Sequence, residues 1–349
     1  MVEIEYRRKE KKMILPHYEI IDKLAESQQA AIFKAYHKKA PERLLILKIL
    51  KTAFLSEYKK TQFRQKIEHL RVLNDPLIIT PIEFSAKDET CFITYDYFDG
   101  VPLNKLTEAH SEICLNVYFN IACQLARALD KVHEAGIIHG GIKPHNILVN
   151  PGTLEIRLID FISAVDVRDV SHFIYDRSFV RGTLSYTSPE QTGRISHRVV
   201  FSSDLYSLGV VFYEMLTSRL PFLSDDPLEL IHSHLAEEAS RVHELNPDIP
   251  PALSKIVAKL MLKEPEKRYQ SSKGLLADLL RCRDEYSSTV RYANFLWKVL
   301  FTPTGLPSSP RWSAASTKLK SSLKNTSRSP GGHFARCSSP GCPESARPA

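Results

Sequence analysis

Residues 137–150 read IIHGGIKPHNILVN, and this stretch decides how the rest of the chain is understood. Two apolar runs bracket a polar loop that holds His139, Lys143 and Asn146. Such a loop has the make-up of one that sets a catalytic acid beside a lysine and an asparagine. Yet two glycines, Gly140 and Gly141, follow the histidine, and the loop carries no acid.

On the N-terminal side, residues 17–100 carry short apolar runs. LLILKIL (44–50) and CFITYDYF (91–98) have the length and β-branched or aromatic content of strands. Between them, Phe63, Ile67, Leu70 and Leu73 recur at helical spacing, so a small sheet with one helix is expected. Beyond Gly100 the period lengthens. Leu115, Tyr118, Ala122, Leu125, Leu129 and Val132 mark a helix that Gly136 stops. SSDLYSLGVVFYEMLTS (202–218) is apolar nearly all round and is expected at the centre of a helical lobe. DPLELIHSHLAEE, PALSKIVAKLML and KGLLADLLRCRDEY are amphipathic and are expected around it.

The 349 residues, 43% hydrophobic and 25% charged, suit a soluble chain with one large domain or two lobes. No apolar run reaches the eighteen or so residues of a membrane span, and the first sixteen residues are basic, without the apolar core of a signal peptide. No membrane insertion and a cytoplasmic location are therefore expected. Six scattered cysteines show no paired metal or disulfide spacing. The net charge of +7 is concentrated at the C-terminal end: seven Lys/Arg and a single acid lie beyond residue 301, leaving the preceding chain near neutral at +1. A nucleic-acid partner is therefore not expected. Residues 302–349 are Ser-, Pro- and Arg-rich, and a disordered tail is expected there. The abrupt switch after FLWKVLF has the look of an out-of-frame or truncated gene end, which reading the neighbouring DNA would settle.

The order of signals carries more than any one of them. A strand lysine (Lys48), a helix, HGGIKPHN, a strand ending in Asp160 and Phe161, GTLSYTSPE, a buried helix containing Asp204 and an arginine in EKRYQS follow one another. Over roughly residues 17–285 this order resembles the eukaryotic-type Ser/Thr protein kinases. The stretch from GTLSYTSPE to HSHLAEE is similar to the kinase-like module at the N-terminus of very large bacterial sensor proteins, which continue into an ATPase region and a sensor histidine kinase. The resemblance implies an α+β bilobal fold, with a β-rich N-lobe over 17–100 and a larger, mainly helical C-lobe over 101–290. It implies a cleft for Mg·ATP, with Lys48 on the phosphates, the backbone at Asp96 and Tyr97 on adenine, and Asn146 and Asp160 on the metal. It further implies that Glu190 pairs with Arg268, that Asp204 ties the loop backbone, and that Thr183 shapes a peptide ledge.

Departures from the pattern are equally specific. Ala25, Ser27 and Ala30 occupy the three positions where glycines let backbone amides approach phosphates. Gly141 stands at the catalytic base, a loss that typically costs about 10²- to 10⁴-fold in rate. Lys143 is retained. Gly140 replaces an arginine that grips an activation-loop phosphate, and His145 falls at a variable position beside the site. Lys66 stands where a helix glutamate would hold Lys48, with Glu68 about 200° round the helix, so Lys66 is expected to turn to solvent or the helix to swing out. Ile162, in place of glycine, is expected to favour one state of its loop. The favoured reading is a pseudokinase: a regulatory or scaffold module, able to hold Mg·ATP, that acts on other signalling proteins or domains. An active Ser/Thr kinase and an interaction domain without nucleotide are the alternatives.

Overall fold

The computed structural model describes residues 15, 17–27, 30–51, 57–87, 90–109, 113–168 and 184–301. Strands β1 (Tyr18–Glu26), β2 (Ala30–His37) and β3 (Ala40–Leu50) run antiparallel, followed by helix α1 (Glu57–Leu70) and strands β4 (Glu83–Lys87) and β5 (Thr90–Asp96). They form one sheet in the order β1-β2-β3-β5-β4. Alternation along β3 decides what the sheet presents on each face. Leu47 and Ile49 pack with Ala35 and Phe92 on one side. Leu50 packs with Ile67 of α1, Cys91, Ile93 and Tyr95 on the other. Lys48 falls between Ile46 and Leu50 and opposite Ile93, so the register places it on the α1 side, at the edge of that apolar layer.

The helical lobe starts with β6 (Val101–Pro102), α2 (Leu103–Ala109) and α3 (Leu115–Glu134). Gly136, just past α3, takes φ +75, which its missing side chain allows, and turns the chain into β7 (Ile137–Ile138). The strands β8 (Ile147–Val149), β9 (Ile156–Leu158) and β10 (Val165–Asp166) follow. β8 lies between β6 and β9, whereas β7 pairs with β10. These two small ladders pin both ends of the 137–150 stretch and bring the segment after β9 alongside its loop.

The remaining helices are α4 (Phe201–Thr217), α5 (Pro227–Ala236), α6 (Val242–Leu245), α7 (Pro251–Leu260) and α8 (Ser272–Phe301). From Ser202 to Leu216 only Glu214 of α4 is not buried, in accord with its all-round apolar sequence. Gly209 is required there: a Cβ would sit 2.7 Å from Leu260 Cβ, so only a hydrogen fits between α4 and α7. Together with α3, these helices and the small ladders enclose one large apolar core. The fold is thus α+β and bilobal, with a sheet-rich N-terminal lobe and a helical C-terminal lobe.

Two element boundaries differ from the sequence pattern. Helix α1 ends at Leu70, with Leu73 still buried beyond it. The amphipathic pattern read over 273–286 is the first half of α8, which runs on to Phe301. The basic segment 1–14 and the tail 302–349 lie outside the described residues. Among the described residues no helix is long and apolar enough to cross a membrane.

Candidate functional site

The site lies where β3, the 139–146 loop and the turn after β9 meet. Asp160 closes β9 in the left-handed region at φ 66, ψ 64, a conformation few non-glycine residues adopt outside strained functional turns. Its Oδ1 accepts from Lys48 Nζ at 2.8 Å, an ion pair joining the lobes with side chains 28% and 14% exposed. Burial pushes the Asp160 carboxyl up, but the Lys48 ammonium, with His139 and Lys143, more than offsets this and holds it below the usual carboxylate range. Burial lowers the Lys143 amine, the Asp160 carboxylate works against that shift, and the Lys48 ammonium adds to it. Tyr95 of β5 is buried against the same carboxylate, and burial followed by that charge raises its phenol well above normal.

The loop is held almost entirely through its backbone. Asp204, at the N-terminal end of α4, accepts the amides of His139 and Gly140, both at 2.8 Å, and lies 2.9 Å from His133 Nε2. His133 Nδ1 is in turn 3.1 Å from the Ser272 hydroxyl. Gly140 adopts φ +68, and its carbonyl accepts from Gln191 Nε2 at 3.1 Å. His139 is fully buried: its Nδ1 accepts the Gly141 amide at 3.2 Å, so Nε2 carries the proton toward the Ile159 carbonyl at 3.1 Å. Burial holds this imidazole below its usual range, and its ring packs on Phe161 at 4.6 Å. Gly141 is not left-handed, and a Cβ there would meet nothing closer than 3.7 Å. The position has room for a side chain and lacks one.

Asn146 donates from Nδ2 to the Gly141 carbonyl at 2.8 Å, which leaves Oδ1 on the other side of the amide. With Asp160 Oδ1 taken by Lys48, Asp160 Oδ2 and Asn146 Oδ1 are the oxygens that fit a hard cation such as Mg²⁺. Among the described residues no group of three or more His, Cys, Asp or Glu could hold a metal, so a cation here would need oxygens from the nucleotide.

The described ends of the β1–β2 hairpin bond to each other. The Ser27 amide donates to the Ala30 carbonyl at 2.8 Å, and the Ala30 amide donates to Ser27 Oγ at 3.1 Å. Lys51 caps the Ser27 carbonyl at 2.8 Å and reaches Glu26 at 3.1 Å. Ala25 lies in β1, paired with Ile32. The amides at Ser27 and Ala30 are therefore engaged inside the turn. The side chains of Asp96 and Tyr97 also face elsewhere: Asp96 pairs with Arg43 at 2.6 Å, and Lys34 lies 4.2 Å over the Tyr97 ring. The Tyr97 amide donates to the Leu44 carbonyl at 3.4 Å, leaving carbonyls rather than that amide for a ligand.

The expectation for Lys66 is corrected. It does not turn to solvent. Its Nζ donates to the Ile162 carbonyl at 2.6 Å, two residues past Asp160. Burial drives the amine down to about 8. A backbone carbonyl supplies the acceptor, and Lys48 turns to Asp160 instead. Nothing in the sequence marks a main-chain acceptor, so this contact had no signal there. The Gln191 contact was missed for the same reason, its acceptor being the Gly140 carbonyl.

Outside the cleft, Arg268 meets Glu190 with two parallel bonds of 2.7 and 2.9 Å, both side chains fully buried. The guanidinium also donates to the carbonyls of Ser202, Leu262 and Lys263, filling its fork. His145 is exposed. Thr183 lies outside the described residues.

Comparison with known proteins agrees with this geometry. Residues 18–279 match the family model described as protein kinase domain. The chain is 29% identical over 282 residues to a probable serine/threonine-protein kinase of Clostridium perfringens, covering 80% of this chain and 40% of that protein. It is 31% identical over 270 residues to a probable serine/threonine-protein kinase of Clostridium acetobutylicum, covering 77% and 40%. It is also 34% identical over 245 residues to hybrid signal transduction histidine kinase G of Dictyostelium discoideum, covering 51% of this chain and 7% of that one. The chain thus spans about two-fifths of the first two relatives.

Proposed function

This chain belongs to the protein kinase domain family, and we propose that it works as a nucleotide-binding signalling module with little or no phosphotransfer of its own. The observation that carries the reading is Gly141. The loop around it is braced by Asp204 and Asn146, and Lys48 is paired with Asp160 beside it, yet no carboxylate stands at the position that corresponds to the base. Positioning and charge are retained, and proton removal is not. The amides of Ser27 and Ala30, taken up within the hairpin, support the same reading. When Mg·ATP is bound, Asn146 Oδ1 and Asp160 Oδ2 would hold the metal, and the metal would neutralise the phosphates. Lys48 would keep the phosphates against the β3 face. The partner is expected to be another signalling protein or domain, a role in keeping with the similarity to a hybrid histidine kinase.

A second reading, an active Ser/Thr kinase, draws on the names of the bacterial relatives and on the retained Lys48, Lys143, Asn146 and Asp160. Incubation with labelled ATP and Mg²⁺ or Mn²⁺ separates the two. The first reading expects no transfer above that of Asp160→Ala, together with an ATP-induced thermal shift that Lys48→Ala abolishes. Robust transfer that Asp160→Ala removes would establish the second. No shift at all would point to an interaction domain without nucleotide.

A further inference from the structure

Residues 223–238 read LSDDPLELIHSHLAEE and hold five acids with no Lys or Arg. They form the turn into α5, the helix itself and its exit. Phe222, Leu230 and Ile231 are buried and anchor this element in the helical lobe, whereas Leu223 and Leu228 stand 78% and 61% exposed. The turn that presents them is braced. Ser224 Oγ donates to Glu229 at 2.5 Å and accepts the Asp226 amide at 3.0 Å, and Asp226 accepts the Leu228 amide at 2.9 Å. Lys263 reaches the far end of α5, where it donates to the Ser233 and His234 carbonyls at 3.1 and 2.9 Å. Asp225 and Asp226, between the two leucines, and Glu229, next to the second, are exposed. A lone exposed leucine is ordinary, but two on one braced turn within a rim of one sign mark an interaction surface.

Such a face fits a segment that carries leucines and positive charge. Residues 317–324 of this chain read TKLKSSLK: Leu319 and Leu323 are flanked by Lys318, Lys320 and Lys324, which are all the lysines beyond residue 301, where Glu344 is the single acid. We propose that the Leu223–Leu228 face is a docking surface for residues 317–324 of the same chain, with the leucines meeting and the three lysines opposite the acids. The segment follows α8, which packs against α3 and α7, so it leaves the lobe that carries the face. Residues 302–316 span up to about 50 Å when extended, about the diameter of a domain of this size. Tethering offers the segment to the face at about millimolar concentration, so a contact too weak to hold two separate molecules together forms within one.

The test is zero-length carbodiimide cross-linking of the 349-residue chain at about 1 µM, far below that effective concentration, followed by peptide mapping. Amide links from Lys318, Lys320 or Lys324 to Asp225, Asp226 or Glu229 are expected in the monomer. Raising salt from about 0.05 to about 0.5 M shortens the Debye length about threefold and should cut these links several-fold. Leu223→Asp separates packing from charge. It adds an acid to the rim, so it lowers the yield about tenfold if the leucines must meet, and raises it if charge alone draws the segment in. No links, links confined to a dimer, links that salt leaves unchanged, or links undiminished in Leu223→Asp overturn the proposal. The wild-type mapping needs no variant, and a circular dichroism melt matching wild type establishes that Leu223→Asp is folded.

Discussion

Replacing Lys66 with methionine should make this protein more stable. Burial lowers the Lys66 amine from 10.5 to about 8, and at about 1.36 kcal/mol per pH unit the charged form costs the fold about 3 kcal/mol near neutral pH. Methionine is of similar length and removes that cost. It also removes the donor to the Ile162 carbonyl, worth about 1 kcal/mol because that half-buried oxygen can turn to water. The net gain is about 2 kcal/mol, or roughly 4–8 °C in Tm for a domain of this size. The pH dependence gives an independent sign. Because the folded-state value lies below the unfolded one, the destabilisation is complete below about pH 8 and fades as pH rises from there toward 10.5. The advantage of Lys66→Met should therefore be full at neutral pH and nearly gone near pH 10. Urea denaturation followed by circular dichroism at both pH values measures it. Comparison with wild type cancels Lys263, whose amine burial also lowers to about 8. A variant no more stable than wild type at neutral pH, or an advantage unchanged at high pH, refutes the reasoning.

Arg268→Ala should cost about 3–5 kcal/mol, because it strands the fully buried Glu190 carboxylate, and an urea midpoint shift would measure it. Gly209→Ala should destabilise by about 1–3 kcal/mol, since its methyl would meet Leu260 Cβ at 2.7 Å; a melting temperature equal to wild type would show that α4 and α7 can part. Gly141→Asp should fold with unchanged Tm, given 3.7 Å of clearance and no left-handed backbone. If the base is the missing element, that variant should raise transfer of labelled phosphate by about 10²-fold or more. No gain would place the block elsewhere, with the closed hairpin the first suspect.

The lobes were legible because their signals are periodic. The apolar, β-branched run at 44–50 marked a strand, and the nearly all-round apolar surface of 202–218 pointed to a central helix. The loop was legible through an absence, the missing charge at Gly141. What could not be read were contacts to main-chain atoms. Repulsion from Lys48 argued for moving Lys66 outward, but a carbonyl two residues past Asp160 is a sufficient acceptor, and it is invisible in a string of side chains. The hairpin bonds could not be read for a related reason: lost glycines predict weaker phosphate contact, but not that the Ala30 carbonyl and Ser27 Oγ would accept the amides of Ser27 and Ala30. Strand β1, exposed along most of its length, has almost no pattern from which its pairing could be drawn.

The fork between Arg268 and Glu190 also bears on when the helical lobe can form. The partners are 78 residues apart in sequence, and neither can leave water before the other arrives without stranding a charge. A chain emerging from the ribosome can pair the strands of its N-terminal sheet early, through short turns. The segment around Glu190 must wait, hydrated, until Arg268 has cleared the exit tunnel. Closure of the C-terminal lobe is therefore a late and concerted step, and a nascent chain stalled before residue 268 would expose the apolar surface of α4.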